Sequence, residues 1–135
     1  MNQLLELIQG KITPGIYELS LTISPVELSQ LCQEYNCKLF YLDGETIVDK
    51  RGFFRGCLDA MDLPEYFGNN WDAWEDCLTD LSWCQASSYL FVYPKFQNFA
   101  SHSPQDWAIF LDVLSSAIGH WQEQKTPLSV IFPTS

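Results

Sequence analysis

Residues 63–81 read Leu63-Pro64-Glu65-Tyr66-Phe67-Gly68-Asn69-Asn70-Trp71-Asp72-Ala73-Trp74-Glu75-Asp76-Cys77-Leu78-Thr79-Asp80-Leu81. Pro64 to Phe67 is long enough for one helical turn, which Gly68 stops, and Asn69-Asn70 then offers a capping side chain for a helix running to about Leu81. On a helix advancing about 100° per residue, Trp71, Trp74, Leu78 and Leu81 fall on one arc, and Asp72, Glu75, Asp76 and Asp80 gather on the other. One face is core and the other is acidic. Like charges at three- and four-residue spacing repel by roughly 0.2–0.5 kcal/mol per pair. No Lys or Arg lies between Arg55 and Lys95 to relieve them, while Asp59, Asp62 and Glu65 add to the same interval. Two readings stay open: a solvated acidic helix whose Asp72 favours the positive helix start, or a face that awaits an external cation.

Outward from this helix, strand and helix patterns alternate. Toward the amino terminus, Lys38–Leu42 is a short apolar strand ending at the turn pair Asp43-Gly44, followed by a helix over Phe53–Met61. Before it come a helix over Met1–Ile8 stopped by Gly10, a strand Ile16–Leu21, and a helix opened by Ser24-Pro25 with Val26, Leu28, Leu31, Cys32 and Tyr35 at helical spacing. Toward the carboxyl terminus, Tyr89–Tyr93 reads as a buried strand and Pro94–Ser103 as a mobile loop. Ser103-Pro104 repeats the cap-then-proline signal for a long helix carrying Trp107, Phe110, Leu111, Leu114, Ile118 and Trp121, and Leu128–Phe132 closes as a strand. Four short strands separated by helices predict an α/β domain with a mainly parallel sheet packed with helices, because parallel neighbours need crossover connections.

Composition bounds the function. At 135 residues with 47% hydrophobic and 15% aromatic residues, the chain has material for one packed core and reads as a single domain. Seventeen Asp and Glu against seven Lys and Arg give a net charge of −10. That argues against direct nucleic-acid binding, which needs a basic surface, and favours a basic partner, although acidity also serves solubility alone. Five cysteines without framework spacing, and no signal-like start, predict reduced thiols in the cytoplasm. No stretch approaches the roughly 18–20 apolar residues of a membrane span.

The stretch Leu63–Thr79 resembles the signature of the barstar, or barnase-inhibitor, family, which runs roughly L-P-x-aromatic-aromatic-G-x-N-x-D-A-x-x-D-C-L-T. Lys38 through Asp43-Gly44 to Pro64 can be laid on that family's opening strand and helix without gaps. The resemblance covers residues 37–132, a core of three family strands, and leaves residues 1–36 as an extension: an added helix, strand and helix at one sheet edge. It implies an inhibitor of a small basic ribonuclease or related nuclease toxin, whose loop and helix enter the nuclease active site so that a carboxylate replaces the substrate phosphate. Asp76 matches that carboxylate and Asp72 the earlier one, Tyr66 an aromatic contact and Thr79 a helix-end contact. Asn70 is either a contact or only the helix cap. Glu75 and Asp80 depart from the pattern, since the best-known member has tryptophan and glycine there. Both join the expected partner surface, and the expectation is a partner that is not barnase itself, or only weak binding of barnase. Asp112 is the nearest candidate for a further acidic contact on the long late helix.

Rival chemistries find less support in the residues. Asp72 and Asp76 one turn apart form a possible acid–base pair, but nothing in the sequence splits their roles. Cys77 lacks a neighbouring histidine or cation to activate it and reads as a core cysteine. Neither the cysteine spacings nor His102 and His120 form a metal site, and Gly68 lacks the other glycines and lysine of a phosphate-cradling loop. No cofactor or metal is therefore expected. Trp71 and Trp74, opposite the carboxylates, are expected in the core, and Trp83 is the better candidate for an exposed contact. Three functions remain: nuclease inhibitor, an interaction module for a basic non-nuclease partner, and, least supported, an enzyme.

Overall fold

Every residue of Ser88–Val92 is buried, which is the signature of a strand covered on both faces. In the computed structural model, which describes residues 2–64 and 67–134, this strand is an inner member of a four-stranded, wholly parallel sheet. The elements are α1 (Asn2–Gln9), β1 (Ile16–Leu19), α2 (Pro25–Glu34), β2 (Cys37–Tyr41), α3 (Lys50–Met61), α4 (Trp71–Asp80), β3 (Ser88–Val92), α5 (Gln97–His102), α6 (Pro104–Glu123) and β4 (Leu128–Pro133). The strand order is β1-β4-β3-β2, with Phe91 opposite Phe40 on one side and Val130 on the other. The α/β class, the parallel sheet and the four strands follow the sequence expectation.

Because side chains alternate across a strand, β3 feeds two separate cores. Leu90 and Val92, with Ile131 of β4, meet Leu4, Leu7 and Ile8 of α1 and Leu28 and Cys32 of α2. Tyr89 and Phe91, with Phe40, Val130 and Phe132, meet α3, α4 and α6 through Phe53, Trp74, Phe110 and their neighbours. Residues 1–36 were expected at one sheet edge. Their strand does pair there, along β4, but α1 and α2 cover the whole second face of the sheet. Apolar residues on both faces of β3 require that cover, at about 1.5–3 kcal/mol per buried aliphatic side chain.

Local signals account for most boundaries. Ser24 and Glu27 form a reciprocal capping box at α2. The third helix starts three residues earlier than the apolar spacing indicated, because Asp49 accepts a hydrogen bond from the Gly52 amide at 2.8 Å and caps it. Two expectations are corrected. Pro94–Ser103 is not a mobile loop: it contains α5, pinned by Phe99, whose ring stacks on Phe53 at 5.4 Å. Ser103 does not cap α6 with its side chain, since its hydroxyl donates to the Val48 carbonyl at 2.8 Å. The turn expected over Pro64–Phe67 lies partly outside the described residues. Gly44 sits where the end of β2 meets the end of β3. A Cβ there would stand 2.6 Å from the Tyr93 ring and 2.7 Å from the Lys95 carbonyl, so only glycine fits.

Tyr93 is completely buried, and its hydroxyl has no hydrogen-bond partner among the described residues. An unsatisfied buried hydroxyl destabilises, so Tyr93→Phe is expected to raise unfolding free energy by about 1 kcal/mol in urea titrations. Burial also pushes the Tyr93, Tyr89 and Tyr41 phenols and the Cys57, Cys77 and Cys84 thiols above their ordinary values of 10.0 and 9.0. The unfolded chain then releases these protons first, so it binds fewer protons than the folded chain at alkaline pH. These groups are expected to leave stability unchanged near neutrality and to lower it as pH rises past about 9; denaturant midpoints measured between neutral and alkaline pH check the sign.

Candidate partner-binding surface

The roll of α4 about its axis is set by its apolar side. Trp74 has no exposed surface and packs edge-on to Phe53 at 5.1 Å and Phe91 at 6.3 Å. Cys77, Leu78 and Leu81 are buried beside it, and half-buried Trp71 lies 4.9 Å from Phe54. Both tryptophans therefore belong to the core side, as their spacing predicts. Asn70 caps the helix, its side-chain oxygen accepting from the Ala73 amide at 2.8 Å while its amide group donates to Gly68. Leu81 closes the helix in the left-handed region, at φ 47°. The buried Leu81 side chain holds a conformation that few residues other than glycine adopt readily.

Three side-chain hydrogen bonds tie α4 lengthwise to α6. The Trp71 indole donates to Asp106 at 3.3 Å, the Ser116 hydroxyl to Glu75 at 3.3 Å, and the Trp121 indole to the Leu78 carbonyl at 2.6 Å. Both sequence numbers increase together along the seam, so the helices run in the same direction. This strapping was not legible in the sequence, where Trp71, Trp121, Asp106 and Ser116 carry no pairing signal.

With the core side locked, Asp72, Asp76 and Asp80 are exposed along the opposite side. Among the described residues none of these three, nor Glu75, has a basic side chain within ion-pair distance; the ion pairs recorded there join Lys95 to Asp43 and Glu45. Asp80 accepts a hydrogen bond from Ser82. Glu75 differs from the expected free contact: it is half-buried and turned toward α6 by Ser116. Thr79 is also half-buried, and its hydroxyl donates to the Glu75 and Asp76 carbonyls. Asn70 is exposed but committed to capping. Tyr66 lies outside the described residues. Asp112 is exposed on α6 one turn before Ser116, on the stretch of that helix that flanks α4.

The core-cysteine and exposed-tryptophan expectations are also resolved. Cys77 is buried, and burial, followed by the charges of Asp76 and Asp80, pushes its thiol up, away from a nucleophilic thiolate. Trp83 is not an exposed contact. Its indole donates to the Cys77 carbonyl and its ring packs against Phe40, a role that its distance from the apolar stripe concealed. Among the described residues no group of His, Cys, Asp and Glu is placed to hold a metal ion, and no helix is long and apolar enough to cross a membrane.

The parallel α/β sheet thus holds a helix whose Asp72, Asp76 and Asp80 are exposed without a basic partner among the described residues. The sequence matches the Barstar (barnase inhibitor) family over residues 37–133, and the chain belongs to that family. No curated protein matches it. Among solved structures, the Aeropyrum pernix ORC2 protein, determined as ADPNP–ADP complexes, is similar with a TM-score of 0.59 and 12% identity over 99% of this chain and 39% of that one. Cdc6p from Pyrobaculum aerophilum gives 0.54 and 15% over 98% and 38%. The chain thus spans well under half of either protein, and at these identities the likeness is one of fold alone.

Replacing Asn70 by Ala removes an observed cap and is expected to lower stability by about 1 kcal/mol. Asn70→Asp, which keeps an acceptor at the helix start, is expected to retain most of it. Parallel denaturant titrations of both variants separate the capping role from any contact role.

Proposed function

We propose that this protein inhibits a small basic ribonuclease, or a related nuclease toxin, by placing the acidic side of α4 in the nuclease active site. The reading rests above all on one observation: Asp72, Asp76 and Asp80 are exposed on one rigid helix with no basic partner among the described residues, in a chain of the barstar family. Arg, Lys and His groups that hold a phosphate also hold a carboxylate, with short charge-assisted hydrogen bonds. Asp76, midway along the row, stands in for the substrate phosphate, and Asp72 contacts the rim of the same site. Tyr66, Asn70 and Thr79 complete the surface on the family's pattern, and Glu75 and Asp80 add charge to it. The complex relieves the like-charge repulsion that the free helix bears, and complementary charge speeds encounter. The protein acts by binding, in the cytoplasm, and not by turnover.

Glu75 and Asp80, which stand where the best-known family member has tryptophan and glycine, favour a second reading: an interaction module for a basic partner without nuclease activity. Inhibition of a panel of small basic bacterial ribonucleases, at low and moderate salt, separates the two. Salt-sensitive inhibition is expected for the wild-type protein; recovery from cells of basic partners that lack nuclease activity, with no inhibition in the panel, turns the conclusion to the second reading. Asp76→Ala is expected to abolish inhibition without lowering stability, because it removes repulsion from Asp72 and Asp80 at four-residue spacing and breaks no ion pair recorded among the described residues. Undiminished inhibition by that variant would sink the role given to Asp76.

A further inference from the structure

Three of the seven basic residues, Lys50, Arg51 and Arg55, fall within six positions at the start of α3. All three are exposed, and together with Phe54, Leu58 and Asn69 they line a groove of about 390 Å³. Among the described residues none has a carboxylate within 4 Å. Asp49, next to them, is occupied in capping α3, and Asp59 lies one turn beyond Arg55 without forming an ion pair. Arg51 and Arg55 are the only arginines of the chain, and at four-residue spacing they share one side of the helix. Arginine is the residue best suited to grip carboxylates in pairs of hydrogen bonds. About one turn beyond Arg55 the groove exposes Leu58, a large apolar side chain 41% accessible to solvent.

This groove adjoins the start of α4, where Asp72 opens the acidic side. Asn69 lines it, and only Asn70 and Trp71 lie between Asn69 and Asp72, a span of at most about 11 Å. The Phe54–Trp71 contact packs the two helices together at the same point. Two patches of opposite charge, neither with an ion-pair partner among the described residues, thus lie close together. A small anion in the groove would neutralise the cations and leave the carboxylates of α4 unmatched. A surface with the same two patches in reversed order satisfies both, and this chain presents that surface when turned about a two-fold axis between the patches.

We propose that a second copy of this chain occupies the groove. The acidic side of α4 in one molecule seats against Lys50, Arg51 and Arg55 of the other, and the reciprocal contact forms across the axis. The contact also covers the exposed Leu58, taking its apolar surface out of water. The net charge of −10 opposes association at long range, so the dimer is weak. At physiological ionic strength screening over about 8 Å removes most of that repulsion and spares the contacting pairs. The dimer hides Asp72 and Asp76; if the protein inhibits a nuclease as proposed above, self-association and inhibition compete for one surface. The dimer itself does not depend on that reading.

Sedimentation velocity from about 10 μM to about 1 mM protein covers the affinities of such an interface, in about 0.15 M salt. The wild-type protein is expected to sediment faster as concentration rises. Arg51→Glu/Arg55→Glu and Asp72→Lys/Asp76→Lys, each shown folded by circular dichroism, are each expected to weaken association at least about tenfold. Their equimolar mixture is expected to restore it, because both contacts across the axis again join opposite charges. A wild-type protein that stays monomeric throughout overturns the proposal and leaves the groove to a partner other than this chain. Association that survives both reversals, or a mixture that fails to associate, overturns it equally. None of these outcomes bears on nuclease inhibition, which is measured separately.

Discussion

Trp74 is the side chain on which the arrangement depends. Its ring is enclosed by Phe53, Phe91, Phe110 and Trp71, at centroid distances of 5.1, 6.3, 5.7 and 5.8 Å, so it joins α3, the sheet, α6 and its own helix at one point. A fully buried indole in a close-packed interior has one position to occupy, which leaves α4 a single roll angle. Asp72, Asp76 and Asp80 face outward because Trp74, Cys77 and Leu78 face inward. The aromatic core therefore aims the surface as well as stabilising the fold.

The second constraint is the two-sidedness of the sheet. The strand β3 alternates between an aromatic side for α3, α4 and α6 and an aliphatic side for α1 and α2. The family match begins at residue 37, so the helices that close the aliphatic side lie outside it. What the match covers builds the acidic helix and its support, and what lies before it shields Leu90, Val92 and Ile131 from water. The strand β1 widens the same sheet along β4, one strand away from β3 and on the far side from β2.

Charge is distributed against stability. Asp72, Asp76 and Asp80 repel one another along one side of α4, and Lys50, Arg51 and Arg55 crowd the start of α3, where the helix dipole disfavours cations. Each is a modest cost of a few tenths of a kcal/mol. Opposite charges from within the chain would remove them, as Lys95 does for Asp43 and Glu45. Conflicts of this kind between local preference and folded context gather at functional surfaces. They are the common physical basis of both proposals: a rigid fold holds unmatched charge in place for a partner to neutralise.

The sequence by itself determined the four strands, the parallel class, most helix limits and the division of α4 into core and acidic sides. Those properties arise from short-range physics: hydrophobic period, proline at helix starts, and caps such as Ser24 and Asn70. Tertiary structure alone decided that α1 and α2 cover the second face of the sheet and that Phe99 folds Pro94–Ser103 around a helix. It also decided that Trp83 packs on Phe40, that Glu75 turns to Ser116, and that Lys50, Arg51 and Arg55 share a groove with Asn69. Each of these joins residues from different elements, and no local pattern encodes such a pairing. It is settled only when buried side chains compete for the same volume and polar groups for the same partners, which happens once the chain has closed on itself.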